Sequence, residues 1–391
     1  MAEVAPRARP PASLRDARIR ANPGLTLIPF ASLSDEERAG FGSLSNDPEQ
    51  HGVVRDQHGA IKLADRAFER LLDRLRDPQR IAGELAEDEP ALVRLVLDGL
   101  LEVETASGDF VSGSRAYDLV CGAFSLSAPA TKTARLSQMA LRHAQALEID
   151  DASRLSVRLY FYGRLAASPA WSARFATRDS IERFLQIEPG GTLARRMRRA
   201  WQIVDLAPPN DGWFLWRSRL PPGGQRSDRY KVYVCPLPEA VPAAFSAAAD
   251  VAEETGAVAL KVGNDAASLL RPDKIVLYFS DLDRVSAAAR RLAHELAGCP
   301  GHGVPFTAEL ADSDGLVSYG IDPPRPAFTL AWQERESWRL WLTNRLATAL
   351  LAARRDGGSL EPWQYALARL ELDGIDPSTW APSVDRWEEA V

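Results

Sequence analysis

The stretch AVALKVGNDAASLLRPDKIVLYFSDLD (257–283) decides the fold. Two apolar, partly β-branched runs, AVALKVG and KIVLYFS, flank a polar connection containing Asn264, Asp265 and Pro272, the pattern of two strands separated by a turn. Working outward, DRYKVYVCPLPE (228–239), WFLWRSRL (213–220) and GLVSYG (315–320) read as further strands. The Ala-rich segments 238–254 and 282–297 hold few breakers and read as helices. FTLAWQERESWRLWLTNRLATALLAARR (328–355) repeats Trp338, Leu342, Leu346, Ala349 and Leu350 at helical spacing, a core-facing stripe. The expected class is α+β, with a C-terminal mixed α/β domain around a central antiparallel-type sheet, followed by C-terminal helices.

The N-terminal half is organised differently. Residues 1–24 are rich in Pro, Ala and Arg without apolar periodicity, and a mobile arm is expected over 1–44. HGVVRDQHGAIKLA (51–64) reads as two short strands around a His-Gly turn, and ADRAFERLLDRLRD (64–77) as a helix. RIAGELAEDEPALVRLVLDGLLEVE (80–104) reads as a short helix, a break at Glu89-Pro90 and a second helix. ETASGDFVSG (104–113) has the makings of a hairpin wing. Residues 45–115 are therefore expected to form a small winged-helix-like, helical unit. Within 51–104, eight Lys/Arg stand against twelve Asp/Glu, which disfavours DNA as its ligand. Residues 116–200 are expected to be helical with one strand, RLSVRLYFYGR (154–164), and to end in the basic run LARRMRRA (193–200). That run is read first as a solvated helix face and second as a contact for phosphate or an acidic peptide.

A chain of 391 residues with 46% hydrophobic and 26% charged residues has room for two or three domains. The net charge of −6 argues against a nucleic-acid partner. No apolar run reaches membrane-span length and no signal-peptide core is visible, so a cytoplasmic location without membrane association is expected. Cys121, Cys235 and Cys299 are too few and too scattered for a disulfide framework or a zinc site. No metal or other cofactor is expected.

Lysine usage points to the chemistry. The chain has five lysines among 47 basic residues, and three of them, Lys231, Lys261 and Lys274, fall within 44 residues. Arginine stays protonated in a protein, whereas a buried or crowded lysine can lose its proton. Lys231 and Tyr233 point to one face of their strand. If the LKVG strand lies beside it, Lys261 joins them and its pKa falls from about 10.4 toward that of a working base. The LLRPDK turn delivers Arg271 and Lys274, with Asn264 and Tyr278 nearby. Neutral lysine, a phenol and a fixed arginine suit abstraction of a C–H proton beside a carbonyl with departure of an anion. The basic segment GWFLWRSRLPPGGQRSDRYK (212–231) adds Arg217, Arg219, Arg226 and Arg229, which could hold a phosphopeptide. The competing reading is ordinary edge lysines and core aromatics.

The blocks RLYFYGR, GWFLWRSR, KVYVCP, LKVGND, LLRPDKIVLYF and GVPFTAEL, in that order over about 154–350, resemble the HopA-class effector domain. That domain also occurs as a stand-alone protein in lanthipeptide (class V) and thioamitide biosynthesis, where it is taken to be the lyase acting after a phosphotransferase-like kinase. Lys231-Val-Tyr233 and Lys261-Val262 are more distantly similar to the two site strands of the enteric phosphothreonine lyases. The resemblance implies Lys261 as the base, Lys231 as the stabiliser of the enolate, and Arg271, or Lys274, as the phosphate ligand. Tyr233 stands where those enzymes have an acid histidine, so the proton donor is Tyr233, His302 of the GHG loop, or none. The 51–113 unit likewise resembles leader-peptide recognition elements. Together these imply β-elimination of phosphate from phosphoserine or phosphothreonine in a ribosomal precursor peptide, giving dehydroalanine or dehydrobutyrine. The expected partners are that peptide, through leader and phosphorylated core, and the kinase. The alternative is a non-catalytic HopA-like scaffold, which the missing histidine favours. A kinase is disfavoured, because no glycine-rich phosphate loop or HRD- and DFG-like pair is present.

Overall fold

The computed structural model describes residues 14, 17–41, 44, 46–47, 49–56, 61–81, 88–206, 212–219, 228–323 and 336–383. The fold is α+β and divides into two compact units. One comprises Met1–Ser125, Arg325–Arg335 and Thr348–Arg369; the other Leu126–Pro324, Glu336–Ala347 and Leu370–Val391. None of the described helices is long and apolar enough to cross a membrane.

The first unit contains β1 (Arg18–Ala21), β2 (Thr26–Pro29), α1 (Asp35–Ala39), β3 (Gln50–Arg55), β4 (Ile61–Asp65), α2 (Arg66–Arg74), β5 (Gln79–Arg80), α3 (Glu89–Leu97), β6 (Leu101–Glu104), β7 (Phe110–Val111) and α4 (Tyr117–Cys121). Its sheets have the orders β5-β1-β6-β7 and β2-β3-β4. The expected strand pair is β3–β4 and the expected wing is β6–β7. The short helix expected before Glu89, like the His-Gly turn, lies largely outside the described residues. Pro90 falls in the first turn of α3, where its missing N–H costs nothing, and Asp88 caps that turn by accepting from Ala91 N–H.

The expected arm is corrected from Arg18 onward. Ile19 is fully buried, and Arg18 and Arg20 pair with Glu104 and Glu102 on the neighbouring β6. A four-residue strand is too short for its alternation to be legible. The lyase-like domain that the sequence suggests over 201–391 is divided in the structure: Thr348–Arg369 belongs to the first unit, where Tyr365 donates to Leu97 O at 3.2 Å and Arg369 to Asp98 Oδ1 at 2.6 Å.

In the second unit the chain runs through α5 (Lys132–Ala146), α6 (Ala152–Tyr160), α7 (Pro169–Arg174), α8 (Arg178–Phe184) and α9 (Thr192–Ala200) before its sheet begins. The expected strand at 154–164 is corrected to helix over Ala152–Tyr160. Asp151 caps α6 through Arg154 N–H, and Leu155 and Leu159, one turn apart, are buried while Val157 is exposed. Helical burial outweighs β-branched content here. The sheet strands are β8 (Trp201–Val204), β9 (Trp213–Ser218), β10 (Tyr230–Val234), β11 (Ala259–Gly263), β12 (Ile275–Phe279), β13 (Ala308–Glu309) and β14 (Val317–Ile321). They form one antiparallel sheet in the order β13-β14-β10-β12-β11-β9-β8.

Pairing register sorts the side chains of this sheet. Val232, Val234, Ile275, Leu277, Leu260, Val262, Phe214 and Trp216 share one face. The helices α10 (Val241–Glu254) and α12 (Leu282–Glu295) cover it, with Trp216 against Phe245 at 5.6 Å between ring centroids. The other face carries Lys231, Tyr233, Val276, Tyr278, Ala259, Lys261, Trp213 and Arg217 in register. A polar face on a central, buried sheet is where function is most economically placed.

Two glycines keep that face close-packed. A Cβ on Gly263 would lie 2.7 Å from Ser268 Oγ and 2.8 Å from Leu269 N in α11 (Ala266–Leu269), the single turn that Asp265 caps. A Cβ on Gly320, opposite Lys231, would lie 2.2 Å from Trp338 Cδ1 at the start of α13 (Trp338–Asp356). Trp338 is fully buried and its Nε1–H donates to Phe306 O at 2.8 Å, so it has no room to withdraw. Gly320→Ala is expected to cost about 2–3 kcal/mol in urea unfolding, the penalty of overpacking a rigid contact.

Candidate active site

β10 and β11 are not neighbours, so the adjacency on which the meeting of Lys261 with Lys231 was conditional is not met. β12 runs between them and places Tyr278 directly opposite both Lys231 and Ala259. The two lysines therefore meet over a ring: Lys231 Nζ lies 5.4 Å and Lys261 Nζ 5.8 Å from the Tyr278 centroid. Trp213 covers Lys261 from the other side, 4.2 Å from its Nζ. The aromatic walls shield Lys261 on two sides and attract a cation weakly. Burial first, then the nearby charge of Lys231 and further that of Arg271, lowers Lys261 to about pKa 7, against the opposing pull of Asp273 and Asp322. A substantial fraction of Lys261 is thus neutral at physiological pH.

Lys231 is held differently. Its Nζ donates to Asp322 Oδ1 at 2.7 Å, and the same oxygen accepts Trp338 N–H at 2.7 Å. Only 7% of Lys231 is exposed, and the paired carboxylate holds it as a fixed cation on the face it shares with Lys261. Arg229 reaches the same corner, its guanidinium 3.4 Å from Asp322 O.

Arg271 enters from the α11–β12 turn. Its Nε and Nη2 donate to Asp273 Oδ1 and Oδ2 at 2.8 and 2.7 Å, and Nη2 also lies 3.1 Å from Tyr160 Oη. The rings of Tyr160, Phe161 and Trp213 surround its guanidinium at 5.0–5.2 Å. Asp273 faces a second guanidinium, Arg339 Nη1 at 2.8 Å, and Arg339 is anchored by Tyr160 O at 2.6 Å and Pro305 O at 3.2 Å. Despite its burial, the two arginines hold the Asp273 carboxyl well below the usual carboxylate range. Asp273 is therefore the anion of a buried Arg–Asp–Arg triad.

Tyr233 and Tyr278 share this face, and burial raises both phenols well above their ordinary value, with Asp322 adding to it. They are neutral phenols, and Tyr233 is only 3% exposed. Asn264 follows β11, its N–H donating to Gly212 O at 3.2 Å. Lys274 and His302 belong to another constellation. Lys274 is fully buried and donates to Pro236 O at 2.9 Å, with Cys235 Sγ at 3.7 Å and His302 Nδ1 at 3.2 Å. Burial, and then Lys274, lower His302 to about pKa 4, while a hydrogen bond to the Gly163 backbone acts the other way. Both are engaged with each other and with main chain rather than with Lys261. Arg226 lies outside the described residues. Sequence reasoning singled out neither Asp322, Arg339, Tyr160 nor Trp213 as site residues. Tyr160, Trp213 and Arg339 lay inside strand or helix runs, and nothing local marks Asp322, a carboxylate 91 residues from its lysine, as that lysine's partner. Among the described residues no His, Cys, Asp and Glu group could hold a metal ion.

What the face offers is a neutral-capable lysine, a fixed ammonium, a fixed guanidinium and two neutral phenols. No protein-family model matches the chain, and no curated protein matches it. Among solved structures it is similar to an effector protein from Pseudomonas syringae pv. tomato, with 15% identity, 64% of this chain and 97% of that one covered, and a TM-score of 0.41. It is similar to the type III effector/phosphothreonine lyase OspF from Shigella flexneri at 17% identity, over 38% and 82% of the two chains, with a TM-score of 0.28. It is similar to the Salmonella plasmid virulence C protein at 13% identity, over 54% and 98%, with a TM-score of 0.29. At these values the likeness is distant.

Proposed function

We propose that this chain is a phosphoserine/phosphothreonine lyase that acts on a phosphorylated precursor peptide, giving dehydroalanine or dehydrobutyrine. The observation that carries this reading is Lys261, set between Trp213 and Tyr278 beside a second, fixed lysine, with its pKa brought to about 7. Neutral Lys261 Nζ takes the Cα proton. The electron pair of that C–H bond forms the Cα=Cβ bond as the Cβ–O bond breaks, and phosphate leaves. Charge on the carbonyl oxygen in the enolate-like state is met by Lys231, kept in place by Asp322. Arg271, oriented by Asp273, meets the departing phosphate. Tyr233 is buried and His302 is turned to Lys274, so the departing phosphate has no dedicated acid; it leaves against Arg271 and takes its proton from solvent to become hydrogenphosphate. The substrate arrives from a phosphotransferase-like kinase in the cytoplasm, and the first unit binds the leader of the same peptide.

Mass spectrometry of phosphoserine and phosphothreonine peptides incubated with the protein tests this. The expected product has lost phosphoric acid and adds a thiol at the new double bond; release of free phosphate with a hydroxyl left on the peptide would instead mean hydrolysis. The second reading, a non-catalytic peptide-binding scaffold, is favoured by the burial of Tyr233 and the engagement of His302 with Lys274. It expects peptide binding without any mass change.

A further inference from the structure

Five arginines gather at the β8 end of the sheet. On α9, Arg195, Arg198 and Arg199 are exposed within one turn of each other. Arg196 turns away, to Asp250 at 2.9 Å and Ser246 Oγ at 3.0 Å. α9 runs directly into β8, and β8 pairs with β9 through Gln202 and Arg217. Arg219 closes the corner. Its backbone N–H donates to Ala200 O at 2.9 Å and its Nε to Arg198 O and Trp201 O, both at 3.2 Å. Among the described residues, Arg195, Arg198, Arg199, Arg217 and Arg219 form no ion pair with a carboxylate, although the chain carries a net charge of −6.

Arg217 joins this surface to the candidate site, whereas Ile203, in register with Trp216, lies on the opposite face. Arg217 stands on the same face as Lys261, and the register runs Arg217, Ala259, Tyr278, Lys231 across four strands. Among the described residues β8 is also the last strand of the sheet, with Ile203 half exposed. The Arg219–Ala200 bond fixes the pairing phase, so Ile203 directs its own N–H and C=O to the outer edge. An open edge is a template for an extended chain.

We infer that this surface docks a carboxylate-rich segment of the substrate peptide, lying along the β8 edge while the phosphorylated residue reaches Lys261. Main-chain pairing at Ile203 and its apolar side chain suit a peptide better than a nucleic acid, and the arginines supply charge complementarity. The inference rests on the lyase reading for its role, although the docking can be measured without it.

Two phosphoserine peptides differing only in a flanking block, Glu in one and Gln in the other, provide the test. Wild type is expected to prefer the Glu peptide in kcat/KM by about tenfold at low salt. The preference should fade as salt rises and vanish in the triple variant Arg195→Gln/Arg198→Gln/Arg199→Gln, with the Gln peptide as internal reference for each protein. An equal preference in the variant, or none in wild type, overturns the inference. If neither peptide is eliminated, the lyase reading has failed separately, and fluorescence anisotropy with an unphosphorylated Glu-rich peptide decides the docking. Salt-sensitive binding lost in the triple variant supports it, and no binding overturns it. An oligonucleotide of equal charge that binds more tightly would overturn the peptide as occupant.

Discussion

Lys261→Met is expected to abolish elimination while leaving the protein folded. A positioned general base contributes roughly 10²–10⁴-fold to rate, so the loss in kcat should be at least about 10³-fold, with little change in peptide binding. Lys261→Arg should be equally inactive, because a guanidinium keeps its proton. In wild type, kcat/KM should rise with pH and level off above an inflection near 7, where Lys261 becomes neutral. The stability effect has a definite sign. The Lys261 pKa falls from 10.5 in the unfolded chain to about 7 in the fold, so the unfolded state binds more protons between those values. The charged lysine therefore weakens the fold below pH 7, and this cost is relieved as pH rises toward 10.5. Lys261→Met removes it, raising the urea midpoint more at pH 6 than at pH 10. An inactive variant that is also unfolded would say nothing about catalysis, which is why both readouts are needed.

Asp273→Asn is expected to be the most damaging single change to stability. It leaves the guanidiniums of Arg271 and Arg339, 14% and 1% exposed at their side chains, without their shared carboxylate. Stranding a buried charge in this way costs about 3–5 kcal/mol, a large share of the stability of an ordinary domain. Arg271 would also lose the two bonds that aim it, so any residual activity should show a raised KM for phosphopeptide. Combining Asp273→Asn with Arg339→Met should cost less than the sum of the single changes, because one stranded charge is gone. Additive costs would mean the triad is not a coupled unit. Asp273 is ionised in the fold throughout the neutral range, and its contribution is lost only in strong acid, as pH falls below the unfolded carboxylate value of 3.8.

The strands of the second unit were legible because each is a dense apolar run bounded by turn residues. The pairing order was not. Bringing Lys231 and Lys261 together was conditional on adjacent strands, yet the strand inserted between them, β12, contributes the ring over which they meet. Order in an antiparallel sheet depends on how the crossing helices pack, and α10 and α12 cover the face away from both lysines. The run around Tyr160 misled for a related reason. Its β-branched and aromatic residues match a strand locally, but Leu155 and Leu159 find burial only as helix. Lys231 and Lys261 stood out through residue type against an arginine-rich background, and Arg271 through its place in the LLRPDK turn. Asp322 and Arg339 did not, since their meaning comes from contacts across 91 and 66 residues of chain. The strand at Arg18–Ala21 was hidden by its length and by the Pro- and Arg-rich residues before it.

The most direct measurement is the ionisation of Lys261 itself. With only five lysines in the chain, ¹³C-lysine labelling gives a spectrum simple enough to assign by comparison with Lys261→Met. One ε-carbon is expected to titrate with a midpoint near 7, to be missing from the variant, and to follow the same curve as the rate of elimination. If Lys261 instead keeps its proton to pH 10 in the folded protein, it is no base at neutral pH, and the catalytic account of this face is wrong.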